Sequence, residues 1–125
     1  MTAASNYLEN AVLDHVFRNT TLTSPTTVYV KMHTGAPGED CTANAATETT
    51  RKALTFAAAS GGSIAATGTP VASWTSLAAT EIWTHFSIWD HLTAGNPLAY
   101  AALDASMSVT SGGNAQLDSI TVTQA

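Results

Sequence analysis

The spacing of apolar and polar positions changes once along the chain, and the change separates a helix from a β region. From about Tyr7 to Arg18, Leu8, Ala11, Val12 and Val16 recur on one helical stripe, and Leu13 and Phe17 widen it. Glu9, Asn10, Asp14 and Arg18 occupy the other faces. Asn6 with Glu9 three residues on forms a capping box, with Ser5 as the competing cap. Asn19, Thr20 and Thr21 compete for backbone hydrogen bonds and stop the helix, which is expected within residues 5–19. So short a helix is marginal alone and needs a surface to dock on.

After Pro25 the period falls to two, and residues 26–125 read as a β domain. In Thr27 to Thr34, Val28, Val30 and Met32 alternate with Tyr29, Lys31 and His33, as in a half-buried strand. Residues 35–50 open with turn residues and continue polar, small and aperiodic, which predicts a long loop or arm of the functional or mobile kind. Further strands are expected at Arg51–Ala57, Ile64–Thr67, Val71–Ser76, Leu98–Leu103, Met107–Thr110 and Leu117–Thr123. The strongest is Glu81–Asp90, with large residues on both faces, and His91–Pro97 is a hairpin-length connection to its partner. Short strands at this spacing predict a mainly β fold, a β-sandwich or jelly-roll-like domain with one N-terminal α-helix. No repeat or linker divides the chain, so residues 1–125 read as one domain.

Three tryptophans stand out. In a continuous strand Trp83 and Trp89 share one face, leaving Ile82, Phe86 and Ile88 for the other. One face packs the core and the other the helix or a neighbouring subunit; a row of exposed aromatics for carbohydrate is the alternative.

Composition sharpens this picture. Only 10% of residues are charged, against about 25% in an ordinary domain, and Ala, Ser, Thr and Gly fill the gap. Such side chains lose little entropy when covered, which suits a protein held against other subunits. A small secreted β domain shares this composition. The net charge of −5, with Arg18, Lys31, Arg51 and Lys52 scattered, argues against direct nucleic-acid binding. No apolar run is long enough to span a membrane, and the first residues lack the features of a signal peptide.

Candidate chemistry is sparse. The lone Cys41 sits in a polar segment without nearby cations, so neither a disulfide nor a reactive thiol is expected. His15, His33, His85 and His91 show no metal-ligand spacing, and Glu39-Asp40 with Asp90 lacks the ladder of a calcium loop. No nucleophile elbow is present, and Ser60-Gly61-Gly62-Ser63 leads into no helix that would cradle phosphate. The expectation is a non-enzyme with no catalytic residues, cofactor or metal.

The segment YLENAVLDHVFR, from Tyr7 to Arg18, resembles the opening of a family of small tailed-phage virion proteins that begin YLENxLLDHxxR. Thr27–Thr34 with Pro37 is similar to that family's TxYVALYTxxP strand, and Arg51–Phe56 through Gly62 to its ARQAVTFxAAxxG. Trp83–Asp90 with Gly95-Asn96-Pro97-Leu98 resembles WGTVTHFGIFDAxxGGNLL. The chain departs from the pattern at Lys31 and His33, where the family strand is more apolar, and at Ser87, where Gly is usual.

The resemblance implies a virion structural protein, assembled in the host cytoplasm and carried by the particle. The expected role is a capsid decoration protein that binds the major capsid protein, as a homo-oligomer, and stiffens the shell by repeated modest interfaces. The alternative is a minor tail or tail-fibre component that contacts tail proteins and recognises a host. A third reading is a carbohydrate-binding or cytosolic β module outside any virus. Candidate subunit contacts are Tyr7, Leu8 and Val12 on the helix, and Pro37, Glu39 and Asp40 on the long loop.

Overall fold

The computed structural model describes residues 2–124. It is a mainly β fold with one helix: β1 (Ala3–Ala4), α1 (Asn6–Phe17), β2 (Val28–His33), β3 (Lys52–Leu54), β4 (Ser63–Ala65), β5 (Ala72–Trp74), β6 (Glu81–Trp89), β7 (Pro97–Val109), β8 (Ala115–Leu117) and β9 (Thr121–Thr123). Five strands form an antiparallel sheet in the order β1-β7-β6-β2-β3, faced by two short antiparallel ladders, β4 with β9 and β5 with β8. The result is a β-sandwich with an N-terminal helix.

Alternation along the long strands builds the core. Val30 pairs with Ile88 and Met32 with Phe86, while Ile88 and Phe86 pair on their other side with Ala99 and Ala101. These six residues are buried on one face, against Val71, Trp74, Leu77, Leu117 and Ile120 of the second layer. Trp74 and Trp83 meet edge to face with ring centroids 5.3 Å apart, a geometry worth about 0.5–1.5 kcal/mol beyond the area it buries. Both indole N–H groups are satisfied, Trp74 donating to the Thr50 carbonyl (2.9 Å) and Trp83 to Glu81 Oε1 (3.0 Å).

The expectation that Trp83 and Trp89 share a face fails, because β6 is not continuous in register. After Trp83 pairs with Met107 the next pair is His85 with Ala102, an irregularity that inverts the alternation. Trp83 therefore turns into the core with Phe86 and Ile88. Trp89 falls on the reverse face with Ser87, opposite Tyr29 and Lys31 of β2. Ile82, expected opposite the tryptophans, is 53% exposed.

The same irregularity lets β7 run unbroken through the two strands expected at Leu98–Leu103 and Met107–Thr110. Conversely, the strand expected over Leu117–Thr123 divides into β8, which serves β5, and β9, which serves β4. β1 was not expected; two alanines carry no pattern, yet they pair with Tyr100 and Ala99 at the sheet edge.

Residues 35–50 are irregular but do not stand free. Ala45 bridges His33, the Ala46 N–H donates to the Met32 carbonyl (3.1 Å), and Pro37, Cys41 and Ala46 are buried. The loop lies back along β2 and roofs the reverse face of the sheet.

Candidate functional site

The N-terminal helix is the most exposed apolar element. Its cap is Ser5, not Asn6: Ser5 Oγ accepts the Leu8 N–H at 3.1 Å, and Asn6 is already helical. Tertiary contacts decide between the two caps. The Ser5 N–H donates to the Leu98 carbonyl (3.0 Å) and its hydroxyl to the Pro97 carbonyl (2.5 Å), so the fully buried serine pins the helix start to β7. The Asn6 N–H donates to the Glu39 carbonyl at 3.4 Å, tying the same end to the long loop. At the other end Asn19, with φ 54°, adopts the left-handed conformation that Asn tolerates, and the Thr20 N–H returns to the Asp14 carbonyl.

The helix buries no residue completely. Leu8, Ala11 and Asp14 are half-buried against the body. Most of the stripe expected to dock points elsewhere, with Val12 40%, Leu13 54%, Val16 63% and Phe17 77% exposed. These four lie at spacings of one, four and five residues and form one apolar flank.

The six candidate contacts separate accordingly. Tyr7 and Val12 are exposed and Leu8 is half-buried. Glu39 and Asp40 are exposed on the turn beside the helix start, where hydrogen bonds from Thr42 hold the Asp40 carboxyl below its usual range. Pro37 is corrected: it is buried within the loop, its carbonyl accepting the Ala43 N–H at 3.0 Å, and presents no surface to a neighbour.

Beneath the loop lies a polar chain that sequence reasoning missed. His33 Nδ1 is 2.9 Å from the Ala43 carbonyl, which can only accept, so Nδ1 carries the proton and Nε2 is an acceptor. Ser87 Oγ, 2.7 Å from Nε2, therefore donates to it while accepting the Trp89 indole N–H at 2.8 Å. Burial, with Lys31 and His85 nearby, lowers the His33 pKa against the opposing pull of the Ala43 carbonyl. The Arg51 guanidinium stacks 4.0 Å from the Trp89 ring and donates at 2.7 Å to the carbonyls of both His91 and Ala94. A serine beside a histidine suggests a nucleophile and its base. Here both residues are completely buried, so no substrate atom can reach the hydroxyl.

Cys41, expected in a polar setting, is also completely buried, and burial together with Asp40 pushes its thiol up to about 12. Among the described residues no three His, Cys, Asp or Glu side chains converge as metal ligands. Nor is any helix among the described residues long and apolar enough to cross a membrane.

A groove of about 890 Å³ opens between the other flank of α1, the strap of residues 20–27 and the β6–β7 hairpin loop. Tyr7, Asn10, Ala11 and Asp14 form its helical wall. Asp90 sits at its far side, its carboxylate accepting from the Asn96 N–H and side-chain amide and from His91. These hydrogen bonds hold the Asp90 pKa below the ordinary value although burial pushes the other way.

The architecture is a small β-sandwich with a capped N-terminal helix whose apolar flank faces outward. The chain belongs to the family described as podophage GP4 fiber I protein gp80, whose model matches residues 3–124. That makes it a phage virion structural protein. A search of curated proteins returned no match.

Proposed function

We propose that this chain is a non-enzymatic fibre component of the phage particle, seated by the apolar flank of α1 on an apolar surface of a neighbouring virion protein. The observation that carries the reading is the exposure of Val12, Leu13, Val16 and Phe17 on a helix whose start is fixed at three points to the body. Each such side chain contributes about 1.5–3 kcal/mol when fully removed from water, so four together can anchor a subunit. The family description, which names a fiber protein, is compatible with this reading.

A second reading, capsid decoration through the major capsid protein, draws on the compact fold. The low charge suits a lattice joint, and no extended shaft-like element is present among the described residues. Copy number separates the two. Mass spectrometry of purified particles is expected to find far fewer copies of this chain than of the shell subunit; near-equal numbers would overturn the fibre reading for the decoration one. Leu13→Asp with Val16→Asp should abolish incorporation while leaving the folded circular dichroism spectrum intact. Normal incorporation of that variant would remove the helix as the anchor, and self-association of the wild-type chain lost in the variant would make a second copy its occupant.

A further inference from the structure

We propose that the groove between α1, the 20–27 strap and the β6–β7 loop binds a neutral glycan. At about 890 Å³ it lies within the roughly 300–1,000 Å³ typical of ligand sites and is large enough for a short oligosaccharide. A sugar ring presents an apolar C–H face and a rim of hydroxyls. The groove offers both complements: the rings of Tyr7 and Tyr29 and the half-exposed Leu92 for the former, and Asn10, Asp90 and the Thr/Ser-rich strap for the latter.

Charge narrows the ligand class. None of the chain's four Lys and Arg residues lines the groove, whereas Asp14, Asp90 and His91 do, so it offers no permanent cation to phosphate and sulfate esters or acidic sugars, which are disfavoured. Nor is the site a cation trap. Asp14 is paired with Arg18 at 2.9 Å, and Asp90 already accepts from Asn96 and His91. Their remaining lone pairs suit hydroxyl donors better than a second positive charge. The walls are also preset, because Arg51 holds the loop through the His91 and Ala94 carbonyls, and a preset site avoids the ordering cost of binding.

The proposal goes beyond the seating of the chain in the particle and is independent of it. Positions 7, 10, 11 and 14 face the groove, whereas 12, 13, 16 and 17 make up the apolar flank, so a seated helix leaves the groove open.

The test uses the full, isotope-labelled chain. It is titrated by NMR with galactose, mannose, rhamnose and N-acetylglucosamine, and the unlabelled chain is screened on an array of neutral and anionic bacterial oligosaccharides. The expected result is binding of at least one neutral sugar, with amide shifts confined to Asn10, Leu92 and the strap. Tyr7→Ala and Leu92→Ala, both at exposed positions, should weaken it at least about tenfold. Leu13→Asp with Val16→Asp should leave sugar binding unchanged, which separates this site from the anchor. No neutral sugar bound on either platform, shifts that map outside the groove, or equal binding of anionic sugars would each overturn the proposal.

Discussion

Replacing Ser87 by Ala removes one oxygen and leaves almost no cavity, yet it should be among the costlier substitutions in the chain. Among the described residues Ser87 Oγ is the only hydrogen-bond partner of the Trp89 indole N–H and of His33 Nε2, at 2.8 and 2.7 Å. His33 and Ser87 are fully buried, and Trp89 is 7% exposed. Water cannot substitute without opening the roof made by residues 35–50. Each buried group left without a partner costs about 1–3 kcal/mol, so the two together predict a loss of about 2–6 kcal/mol. Urea unfolding followed by tryptophan fluorescence reads this directly, as a lower midpoint with an unchanged slope. The variant with His33→Phe, Ser87→Ala and Trp89→Phe removes the donors and acceptors of this chain together, leaving only the carbonyl of exposed Ala43 to turn to water, and should recover at least ~1 kcal/mol relative to Ser87→Ala. A loss below about 0.5 kcal/mol for Ser87→Ala, in the range of ordinary surface changes, would refute the assignment of this chain as a closed network.

Three further outcomes are expected. Because burial lowers the His33 pKa, its contribution to stability is complete above the unfolded value of about 6.5 and is lost as pH falls through the lower folded value. Denaturation midpoints measured across mildly acidic pH should show this slope, and His33→Phe should flatten it. Gly95 has φ +73°, and a Cβ there would run into Asp90 Oδ1 and lie 2.7 Å from His91 Cβ. Gly95→Ala should therefore cost at least ~1 kcal/mol more than Gly61→Ala, whose φ of +59° carries backbone strain but meets open space; equal midpoints for the two would contradict the crowding. Cys41, buried and with its thiol pushed up to about 12, should resist thiol reagents at neutral pH until denaturant is added, and stoichiometric labelling of the folded chain would contradict its burial.

What the sequence revealed follows from how local each signal is. The alternation at Val28, Val30 and Met32 and the turn at Gly95-Asn96 are local, and β2 and the β6–β7 hairpin stand where the pattern placed them. The helix was equally legible in its extent, but not in its orientation. Periodicity marks an apolar stripe without saying what covers it, and here the body takes Leu8 and Ala11 and leaves Leu13 and Phe17 in water. Ser5 and Asn6 are equally good caps in isolation; the carbonyls of Pro97 and Leu98, ninety residues away in sequence, choose between them. The faces of Trp83 and Trp89 hinge on an irregularity that leaves no residue signature. The loop looked like a free arm because its anchors, Pro37, Cys41 and Ala46, are small or isolated and carry no period. The groove draws on three separate segments, so no stretch of sequence displays it.

Two of the departures from the pattern that the chain resembles, at His33 and Ser87, meet in the structure, together with Trp89. That pattern has a more apolar strand where His33 stands, Gly at Ser87 and Phe at Trp89. Alone, a serine at 87 would bury a hydroxyl, a histidine at 33 a ring nitrogen and a tryptophan at 89 an indole N–H, each without a partner. Together they satisfy one another, and no buried side-chain nitrogen or oxygen among the described residues lacks a hydrogen bond. His33, Ser87 and Trp89 thus act as one unit, a directional contact on the reverse face of the sheet. Its consequence reaches the helix. The His33–Ala43 hydrogen bond holds down the loop, and that loop supplies the Glu39 carbonyl to Asn6 at the start of α1. A directional lock beneath the loop therefore supports one of the three contacts that fix how α1 leaves the body, beside the two that Ser5 makes to β7, and with them it sets both the apolar flank on one side of the helix and the wall of the groove on the other.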